Sequence, residues 1–335
     1  MSPRVTIRDV AQEAGVSVTT VSQALNSPEG SRVSRKTREH VKDVAARLGY
    51  RANPSARALR TRRTDTIALV GRDLVTTEFL GGLIRGAQEE VRRHGGILIV
   101  ADTGDDGEGV VRTLRDHQVD GVILGAFYHQ EIAVPAALEG LPTVVVNAYT
   151  QDPGYSWVVP AEVRGGRDAA EVLLAAGHRR VAMIGNHDDI PAAHGRRQGF
   201  EARCREAGVE PVVIEAVPSA EAAREAAAAL LSGPDRPTGV FAFSDAMAIG
   251  VYFAAAALGL RIPEDLSVVG FDAMRLIDSS LSPTLTSVAL PHAEMAAWAV
   301  ERLYEVMAPG EHEPRHARLV GRVVEGASVA APARA

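Results

Sequence analysis

The sequence predicts an all-α head at the N-terminus, followed by an α/β body of two doubly wound lobes. Two observations lead to this fold class. The first 50 residues contain three short stretches with helical spacing of apolar residues, and from residue 66 onward strand-like apolar runs alternate with amphipathic helical runs. Because 335 residues are too many for one small domain, two or three compact units are expected.

The head begins with a short helix, which is predicted by apolar residues at helical spacing between Ile7 and Ala14. Gly15 ends this helix, a second helix follows Ser17, and a third runs from near Ser34 to Gly49. Two short helices joined by a tight turn, with a third as support, indicate a helix-turn-helix whose second helix fits the major groove of DNA. A plain three-helix bundle with a basic surface is the alternative.

Charge is distributed unevenly along the chain. Residues 1–63 contain 13 Lys/Arg and 5 Asp/Glu, a balance of +8, whereas the remainder contains 23 and 37, a balance of −14. The net charge of −6 hides this asymmetry. A basic head on an acidic body indicates that only the head meets a polyanion such as DNA.

Other bulk features predict where the protein works. Cys204 is the only cysteine, so no intrachain disulfide can form. No apolar run reaches the ~18 residues of a membrane span, and the N-terminus lacks the apolar stretch of a secretory signal. We therefore expect a cytoplasmic protein that has no contact with a membrane. The Ala/Pro-rich tail of residues 331–335 is expected to be disordered.

The body contains two successive series of strand-like and helical runs. The strand-like runs are 66–70, 97–101, 121–125 and 143–147 in the first series, and 181–185, 211–215, 239–243 and 267–270 in the second. The helical runs are near 79–94, 107–118, 131–139, 162–176, 192–207, 220–231 and 246–258. This alternation predicts parallel sheets with helices on both faces. Ligands of such folds bind beyond the carboxyl ends of the strands, so the cleft between the lobes is a natural pocket.

Catalytic and transport functions have less support. The run Gly185-Asn-His-Asp188 looks like one block of a metallophosphoesterase, but the other metal-ligand blocks of those enzymes do not occur. No Gly-x-Gly-x-x-Gly follows the first strand, and there is no Gly-x-Ser-x-Gly elbow. We expect no enzyme, no cofactor and no metal. A transport-type binding protein would share the body but would carry a signal peptide and no basic head.

Several runs closely resemble sequences of the LacI/GalR family of regulators. In the head they are Thr6-Ile-Arg-Asp-Val-Ala-Gln-Glu-Ala-Gly-Val-Ser-Val-Thr-Thr-Val-Ser-Gln-Ala-Leu-Asn26, Val33-Ser-Arg-Lys-Thr-Arg-Glu-His-Val41 and Leu48-Gly-Tyr-Arg-Ala-Asn-Pro-Ser-Ala-Arg-Ala-Leu59. In the body they are Gly177-His-Arg-Arg, Arg196-Arg-Gln-Gly-Phe200, Pro263-Glu-Asp-Leu-Ser-Val-Val-Gly-Phe-Asp272 and Ser282-Pro-Thr-Leu-Thr-Ser287. The resemblance extends to about residue 326. It implies a periplasmic-binding-protein-like body of type I. It also implies a sequence-specific transcriptional regulator, by expectation a repressor, that binds a palindromic operator as a homodimer.

The same resemblance implies which residues contact DNA. Base readout falls on Val18, Thr19 and Gln23, where Val18 offers only apolar contact and the amide of Gln23 suits adenine. Phosphate contacts, which fix register without reading sequence, fall on Thr6, Ser17, Thr20, Ser22, Asn26, Ser34, Thr37 and Asn53. For Ser17 and Ser34, helix capping alone is the alternative.

Residues 51–65 are the predicted hinge and linker. The segment Asn53-Pro-Ser-Ala-Arg-Ala-Leu-Arg60 is too short to persist as a helix alone in water. The resemblance implies that it forms on the operator, paired with its twin across the dimer axis. Leu59 then wedges into a minor-groove step, and Ala56, next to Arg57, lets the paired helices approach. A flexible Arg-rich linker is the alternative.

The resemblance also implies the domain boundaries. Residues 1–50 form the head and residues 66–330 the effector-binding and dimerisation domain. With crossings near Pro160, Leu290 and Val320, one lobe comprises 66–161 and 291–320, and the other comprises 162–290 and 321–330. The tail lacks a Leu-rich heptad segment, so that a dimer is expected rather than a tetramer.

A small effector, by default a sugar or sugar derivative, is implied for the cleft between the lobes. Arg and Asp side chains facing one cleft suit polyol hydroxyls, and an aromatic ring can stack on a sugar. Helix capping is the alternative for Asp73, Asp245 and Asp272. The chain departs from the family pattern at Thr76-Thr77-Glu78, Pro160-Ala161 and Ser244, so the identity of the effector does not carry over. The predicted contacts are Asp73, Phe79, Arg196, Ser244, Asp245 and Asp272.

Overall fold

The computed structural model describes residues 5–26, 33–50, 63–72, 81–126 and 128–333. They fall into two compact units, Met1–Thr64 and Asp65–Ala335. The first is the head and the second the body. Among the described residues, no helix is both long and apolar enough to cross a membrane.

The head consists of the three helices that the apolar spacing predicts. They are α1 (Ile7–Glu13), α2 (Val18–Asn26) and α3 (Arg35–Arg47). Their core contains small and β-branched side chains, among them the fully buried Val10, Val21 and Val41. The turn after α1 needs Gly15, whose φ is +64°; its N–H donates to the Gln12 carbonyl, and the next N–H reaches back to Ala11. These two hydrogen bonds form a Schellman motif, which ends α1 and turns the chain toward α2.

The body alternates strands and helices in the predicted manner. In chain order its elements are β1 (Thr66–Gly71), α4 (Gly81–Arg93), β2 (Ile97–Asp102), α5 (Gly107–Asp116), β3 (Gly121–Gly125), β4 (Thr143–Val146), β5 (Ser156–Pro160), α6 (Glu162–Ala175), β6 (Val181–Asn186), α7 (Pro191–Glu206), β7 (Val212–Ala216), α8 (Ala220–Leu231), β8 (Gly239–Ala242), α9 (Asp245–Ala257), β9 (Ser267–Asp272), α10 (Arg275–Ser280), β10 (Thr286–Ala289), α11 (His292–Val306), β11 (His316–Leu319) and β12 (Val323–Val324).

The strands of the body form two sheets with the same winding. Within the described chain, the first sheet has the order β11-β5-β4-β3-β1-β2 and the second the order β12-β10-β9-β8-β6-β7. The pairs are parallel except β10 with β12, which is antiparallel. The order reverses between β1 and β3 in one sheet and between β6 and β8 in the other. These are the points at which open α/β sheets bind ligands.

Each sheet is covered on both faces. In β1, Ile67 and Leu69 pack into one apolar cluster, while Ala68 and Val70 pack into another on the opposite face. This follows from the twofold periodicity of a strand. Strands buried on both faces read as continuous apolar runs, which agrees with the short apolar runs of the sequence.

The described chain passes between the two sheets three times. It leaves the first sheet after β5 and enters α6, which packs on the second sheet. It returns after β10, since α11 packs on the first sheet, and it crosses again between β11 and β12. The two lobes are thus connected by three crossing segments, which follow β5, β10 and β11.

The prediction of a helix at residues 131–139 is wrong. Glu131 instead forms an isolated parallel bridge with Tyr149, and only Ala136–Leu138 form a short 3-10 turn. Pro135 explains the difference, because it cannot donate a helical hydrogen bond and disfavours the helical conformation of the residue before it.

Candidate functional site

The outer face of α2 carries the three side chains for which base contacts were predicted. Val18 is 42% exposed and Thr19 is exposed, whereas Gln23 is half-buried. The opposite face of the helix, with Val21 and Ala24, is fully buried in the head. The helix therefore keeps the three predicted side chains out of the core, as contact with base edges requires. The contacts themselves stay predictions.

Two serines cap helices of the head in the same way. Ser17 Oγ accepts the N–H of Thr20 at 3.0 Å and lies 2.8 Å from its hydroxyl. Ser34 Oγ repeats this with the N–H of Thr37 at 3.2 Å and its hydroxyl at 2.9 Å. Ser17 and Ser34 therefore do cap their helices, as the alternative to phosphate binding predicts. Capping is compatible with phosphate binding, because the remaining N–H groups of a helix N-terminus still attract an anion.

Thr6 has a comparable role at the start of α1. Its N–H and its hydroxyl both donate to Asp9 Oδ2, at 2.7 and 2.8 Å. These bonds, the backbone one above all, hold the pKa of Asp9 below its ordinary value. The predicted phosphate contact of Thr6 would have to share this hydroxyl.

Several predicted site residues lie outside the described part of the chain. The side chain of Asn26 is one of them, although Asn26 is the last residue of α2. The others are Asn53, Ala56, Arg57, Leu59, Asp73 and Phe79.

We expect Ser34→Ala to lower the local stability of α3 by about 1 kcal/mol, the usual effect of losing a serine cap. Hydrogen exchange of α3 amides in the full-length protein measures this as a roughly fivefold loss of protection. Lys36→Ala is the matched control, because Lys36 is exposed in the same helical turn and caps nothing in the described contacts. Equal protection in both variants would contradict the capping role.

In the body, Arg196 on α7 is the centre of a buried cluster at the carboxyl ends of β6, β8 and β9. It is 4% exposed. Its Nε donates to Glu162 Oε2 at 2.8 Å, and its Nη1 donates to the Phe243 carbonyl at 2.7 Å and lies 3.6 Å from Asp272 Oδ1. The guanidinium carbon lies 3.6 Å from the ring centre of Phe271 and 4.4 Å from that of Phe243. Planar stacking of this kind favours arginine over lysine.

Glu162 is a member of this cluster that sequence reasoning missed. It is the first residue of α6, directly after the chain has crossed from the first lobe, and its side chain is almost fully buried. Its Oε1 lies 3.7 Å from Nδ1 of His129, which belongs to the first lobe. Burial by itself would raise the pKa of Glu162, but Arg196 and His129 lower it below its ordinary value. Glu162 is therefore an ionised partner of Arg196.

A close crossing of α6 and α7 brings the two charges together. A Cβ added to Gly166 would lie 2.0 Å from the Arg196 carbonyl oxygen, and one added to Gly199 would lie 1.9 Å from the Val163 carbonyl oxygen. Only glycine allows backbones to approach this closely. Arg196 and Glu162 are 34 positions apart in the sequence, and this glycine contact makes them neighbours.

Asp272 lies beside Arg196 on the end of β9. Its backbone has a φ of +106°, and that of Ala273 is +51°, so the chain bends sharply where the carboxylate enters the cluster. Burial raises the pKa of Asp272 to about 7; Arg196 opposes this rise and Glu162 adds to it. This carboxyl therefore holds its proton to higher pH than an ordinary aspartate does.

Aromatic and imidazole side chains of the first lobe face the same cluster. Burial raises the pKa of the Tyr128 phenol, and the charges of Asp272 and Asp188 add to the rise. Burial lowers the pKa of His292, the first residue of α11, to about 4. Since these groups follow elements of the first lobe while Arg196 and Asp272 belong to the second, the cluster lies between the lobes.

Ser244 and Asp245, also predicted as effector contacts, make hydrogen bonds within the second lobe. Ser244 Oγ caps α9 by accepting the N–H of Met247 at 3.2 Å. Asp245 is 0% exposed, and its carboxylate accepts from Ser287 Oγ at 2.6 Å and from the Met274 N–H at 2.7 Å. Asp245, at the start of α9, therefore links this helix by hydrogen bonds to β10 and to the loop after β9. Its contact with an effector stays a prediction.

We expect Asp272→Asn to change the pH dependence of stability. A carboxyl whose pKa is raised on folding contributes stability below its ordinary pKa of 3.8, and this contribution is lost as the pH rises through about 7. Urea unfolding at pH 5 and pH 8 should therefore show that the variant gains stability over the wild type as the pH rises. Asp265→Asn is the control, because Asp265 is paired with Arg261 and its pKa is lowered. Parallel curves for Asp272→Asn and the wild type would contradict the prediction.

No group of three or more His, Cys, Asp or Glu side chains in the described ranges is arranged to hold a metal ion. The run Gly185–Asp188, which resembles one block of a metallophosphoesterase, lies at the end of β6. There Asn186 Oδ1 accepts the N–H of Asp188 at 3.0 Å. It is thus a polar turn after a strand, as expected from its composition.

Two family models match the chain. The model described as bacterial regulatory proteins of the lacI family matches residues 6–53, and that described as a periplasmic binding protein-like domain matches residues 170–329. The HTH-type transcriptional regulator DegA of Bacillus subtilis is 34% identical over 304 residues, which cover 88% of this chain and 89% of DegA. The HTH-type transcriptional repressor CytR of Escherichia coli is 30% identical over 336 residues, which cover 98% of this chain and 97% of CytR.

Solved structures are similar over nearly the whole chain. The lac repressor dimer bound to operator and the anti-inducer ONPF is 26% identical, has a TM-score of 0.77, and is matched over 98% of this chain and 100% of its own. The complex of the transcriptional regulator CelR with cellobiose is 30% identical, has a TM-score of 0.68, and is matched over 97% of this chain and 100% of its own.

Proposed function

The chain belongs to the LacI family of bacterial regulatory proteins, and from this premise we propose that it is a dimeric repressor whose affinity for a palindromic operator is set by a sugar bound between its lobes. As a family member it is a DNA-binding transcriptional regulator and not an enzyme. Its place of action is the cytoplasm, where a bacterial regulator meets DNA.

One observation carries the DNA-binding part of the proposal. The basic head holds α2 by its buried face and by the Ser17 cap, and it leaves Val18 and Thr19 exposed. Such a helix enters the major groove, while the N–H groups and hydroxyls around the caps meet phosphates. In a homodimer two heads occupy successive major grooves, so that the operator is a palindrome.

Exposed apolar side chains of the second lobe support the homodimer. Phe253 on α9 is 59% exposed and Leu276 on α10 is 64% exposed. Both elements border a groove that includes Leu260, Ile262 and Leu281. Large apolar side chains grouped on a surface are typical of an interface between proteins. The similar lac repressor structure is itself a dimer on its operator.

The buried cluster around Arg196 supports an effector site between the lobes. It lies at the switch point of the second sheet, and groups of both lobes face it. The related CelR is solved with cellobiose, and a regulator from Enterococcus faecium is solved with ribose. A ligand that fits one angle between the lobes better than another shifts the population competent for DNA binding.

Selection of bound duplexes from a random DNA pool tests the proposal. The full-length protein at moderate salt should recover a palindrome, and addition of single sugars should release or strengthen binding to it. Gln23→Ala should change the preferred base within each half-site, whereas Gln12→Ala, in an exposed position of α1, should not. Recovery of no preference, with and without sugars, would overturn the proposal.

A further inference from the structure

The cation of Arg196 is already neutralised before any ligand enters the cleft. Its Nε is bonded to the Glu162 carboxylate, one of its amino groups is bonded to the Phe243 carbonyl, and aromatic rings cover the guanidinium. An anionic ligand that sought Arg196 would have to displace Glu162. That displacement would leave a nearly fully buried carboxylate without its cation, which is strongly unfavourable.

A second carboxylate adds to the negative charge of the cluster. Asp272 Oδ1 lies 3.6 Å from the same arginine, too far for a good hydrogen bond. One cation therefore faces two carboxylates. The other ionisable groups around them are His129 and His292 from the first lobe, the Tyr128 phenol, and Asp188, whose charge is again negative. Of the two carboxylates, Asp272 makes the longer contact with Arg196.

We propose that the cleft selects an effector without negative charge, an uncharged or ammonium-bearing polyol, and that Glu162 determines this selectivity by occupying Arg196. This inference rests on the proposed function, because it concerns the same cleft. Hydroxyl and ammonium groups can donate to Asp272, whereas a phosphate or carboxylate would face two acceptors and a cation already bound. The sequence predicted Arg196 as an effector contact, and the structure shows that its cation is paired with Glu162.

Inorganic phosphate tests the selectivity without knowledge of the effector. The melting temperature of the full-length protein is compared in sodium phosphate and in sodium chloride at equal ionic strength and pH 7.5. For wild type and Glu171→Gln we expect the same shift between the two salts, and for Glu162→Gln a larger stabilisation by phosphate. Glu171 is the matched control, since it lies on the same helix and pairs with Arg203 at the surface. Phosphate bound elsewhere, including the basic head, shifts all three proteins alike.

If Glu162→Gln does not fold, Asp272→Asn removes the other carboxylate and should show the same sign of change. The inference is overturned if neither variant gains stabilisation over the wild type. It is also overturned if phosphate already raises the melting temperature of the wild-type protein above its value in sodium chloride and Arg196→Met abolishes that stabilisation.

Calorimetric titration with matched sugars separates this inference from the proposed function. The sets are glucose, glucosamine and glucose 6-phosphate, and ribose and ribose 5-phosphate, with cellobiose added. Any sugar that binds the wild type should be uncharged or carry an amine, and Glu162→Gln should improve the relative affinity of the phosphorylated member by about tenfold or more. Tighter binding of a phosphorylated sugar than of its parent to the wild type would reject the inference. If no sugar binds, the sugar effector is rejected, and the phosphate comparison still decides the selectivity.

Discussion

Arg196→Met should destabilise the body by about 3–5 kcal/mol at neutral pH and abolish the response to effector. The methionine side chain keeps much of the apolar volume between the rings of Phe243 and Phe271, so that the loss measures mainly the charge. The reason for the large effect is Glu162, which would remain buried without its cation. Urea unfolding of the full-length protein measures the change in the free energy of unfolding.

The pH dependence of this effect has a definite sign. In the wild type the pKa of Glu162 is lowered on folding, so its contribution to stability is present above its ordinary pKa of 4.5 and lost as the pH falls. Without Arg196, burial raises the pKa of Glu162, and protonation then relieves the unpaired charge. The difference between wild type and variant should therefore be largest near pH 7.5 and smaller at pH 5.

Two further variants make this prediction specific. Arg203→Met, on the same helix, removes an ion pair with Glu171 that is partly exposed, and should cost no more than about 1 kcal/mol. The double variant Arg196→Met/Glu162→Gln removes both buried charges and should be more stable than Arg196→Met alone. If the double variant is no more stable, or if both arginine variants cost the same, then Glu162 is not the source of the effect.

The architecture could be predicted from the sequence because it depends on local periodicity. The helical spacing of Ile7 to Ala14, with glycine behind it, is sufficient for α1 and the turn. The apolar runs of both series became parallel strands, since strands covered on both faces need apolar residues at successive positions. In the same way α8 has the bounds that its composition predicts.

Elements that depend on distant partners were not predicted from local patterns. Strand β12 has two residues and exists because it pairs with β10, some 36 positions earlier. Strand β11 likewise pairs with β5, which lies far earlier in the sequence. The wrong helix at 131–139 had helical composition on both sides of Pro135, and a single proline outweighed that composition.

The candidate site shows the same division. Arg196 and Asp272 could be placed by family spacing, and the structure brings them within 3.6 Å of each other. Glu162 had no such signal, because its partnership with Arg196 arises from the crossing of α6 and α7. The only hint in the sequence was the departure at Pro160-Ala161, directly before it. Asp245 was predicted from the family resemblance as an effector contact, which stays a prediction, and its bonds to Ser287 and Met274 within the second lobe had no signal in the sequence.

Gly199→Ala should have an effect on stability and on effector response together, because Gly199 forms the closest contact between α6 and α7. An alanine Cβ would lie 1.9 Å from the Val163 carbonyl oxygen and 2.9 Å from the Arg167 nitrogen, both backbone atoms that cannot rotate away. The helices must therefore move apart, at a cost of about 1–3 kcal/mol or more. Since α6 carries Glu162 and α7 carries Arg196, the same movement lengthens the bond between them.

Gly107→Ala is the control for this substitution. Gly107 is the first residue of α5, and an added Cβ there would meet nothing closer than Thr103 Cβ at 4.0 Å. Its replacement should leave stability unchanged or raise it slightly, since alanine restricts the unfolded chain. Urea unfolding and the effector-dependent change in operator binding are measured for both variants. Two variants of equal stability would show that the helices tolerate a methyl group at Gly199, and the ion pair would then owe its geometry to something other than this contact.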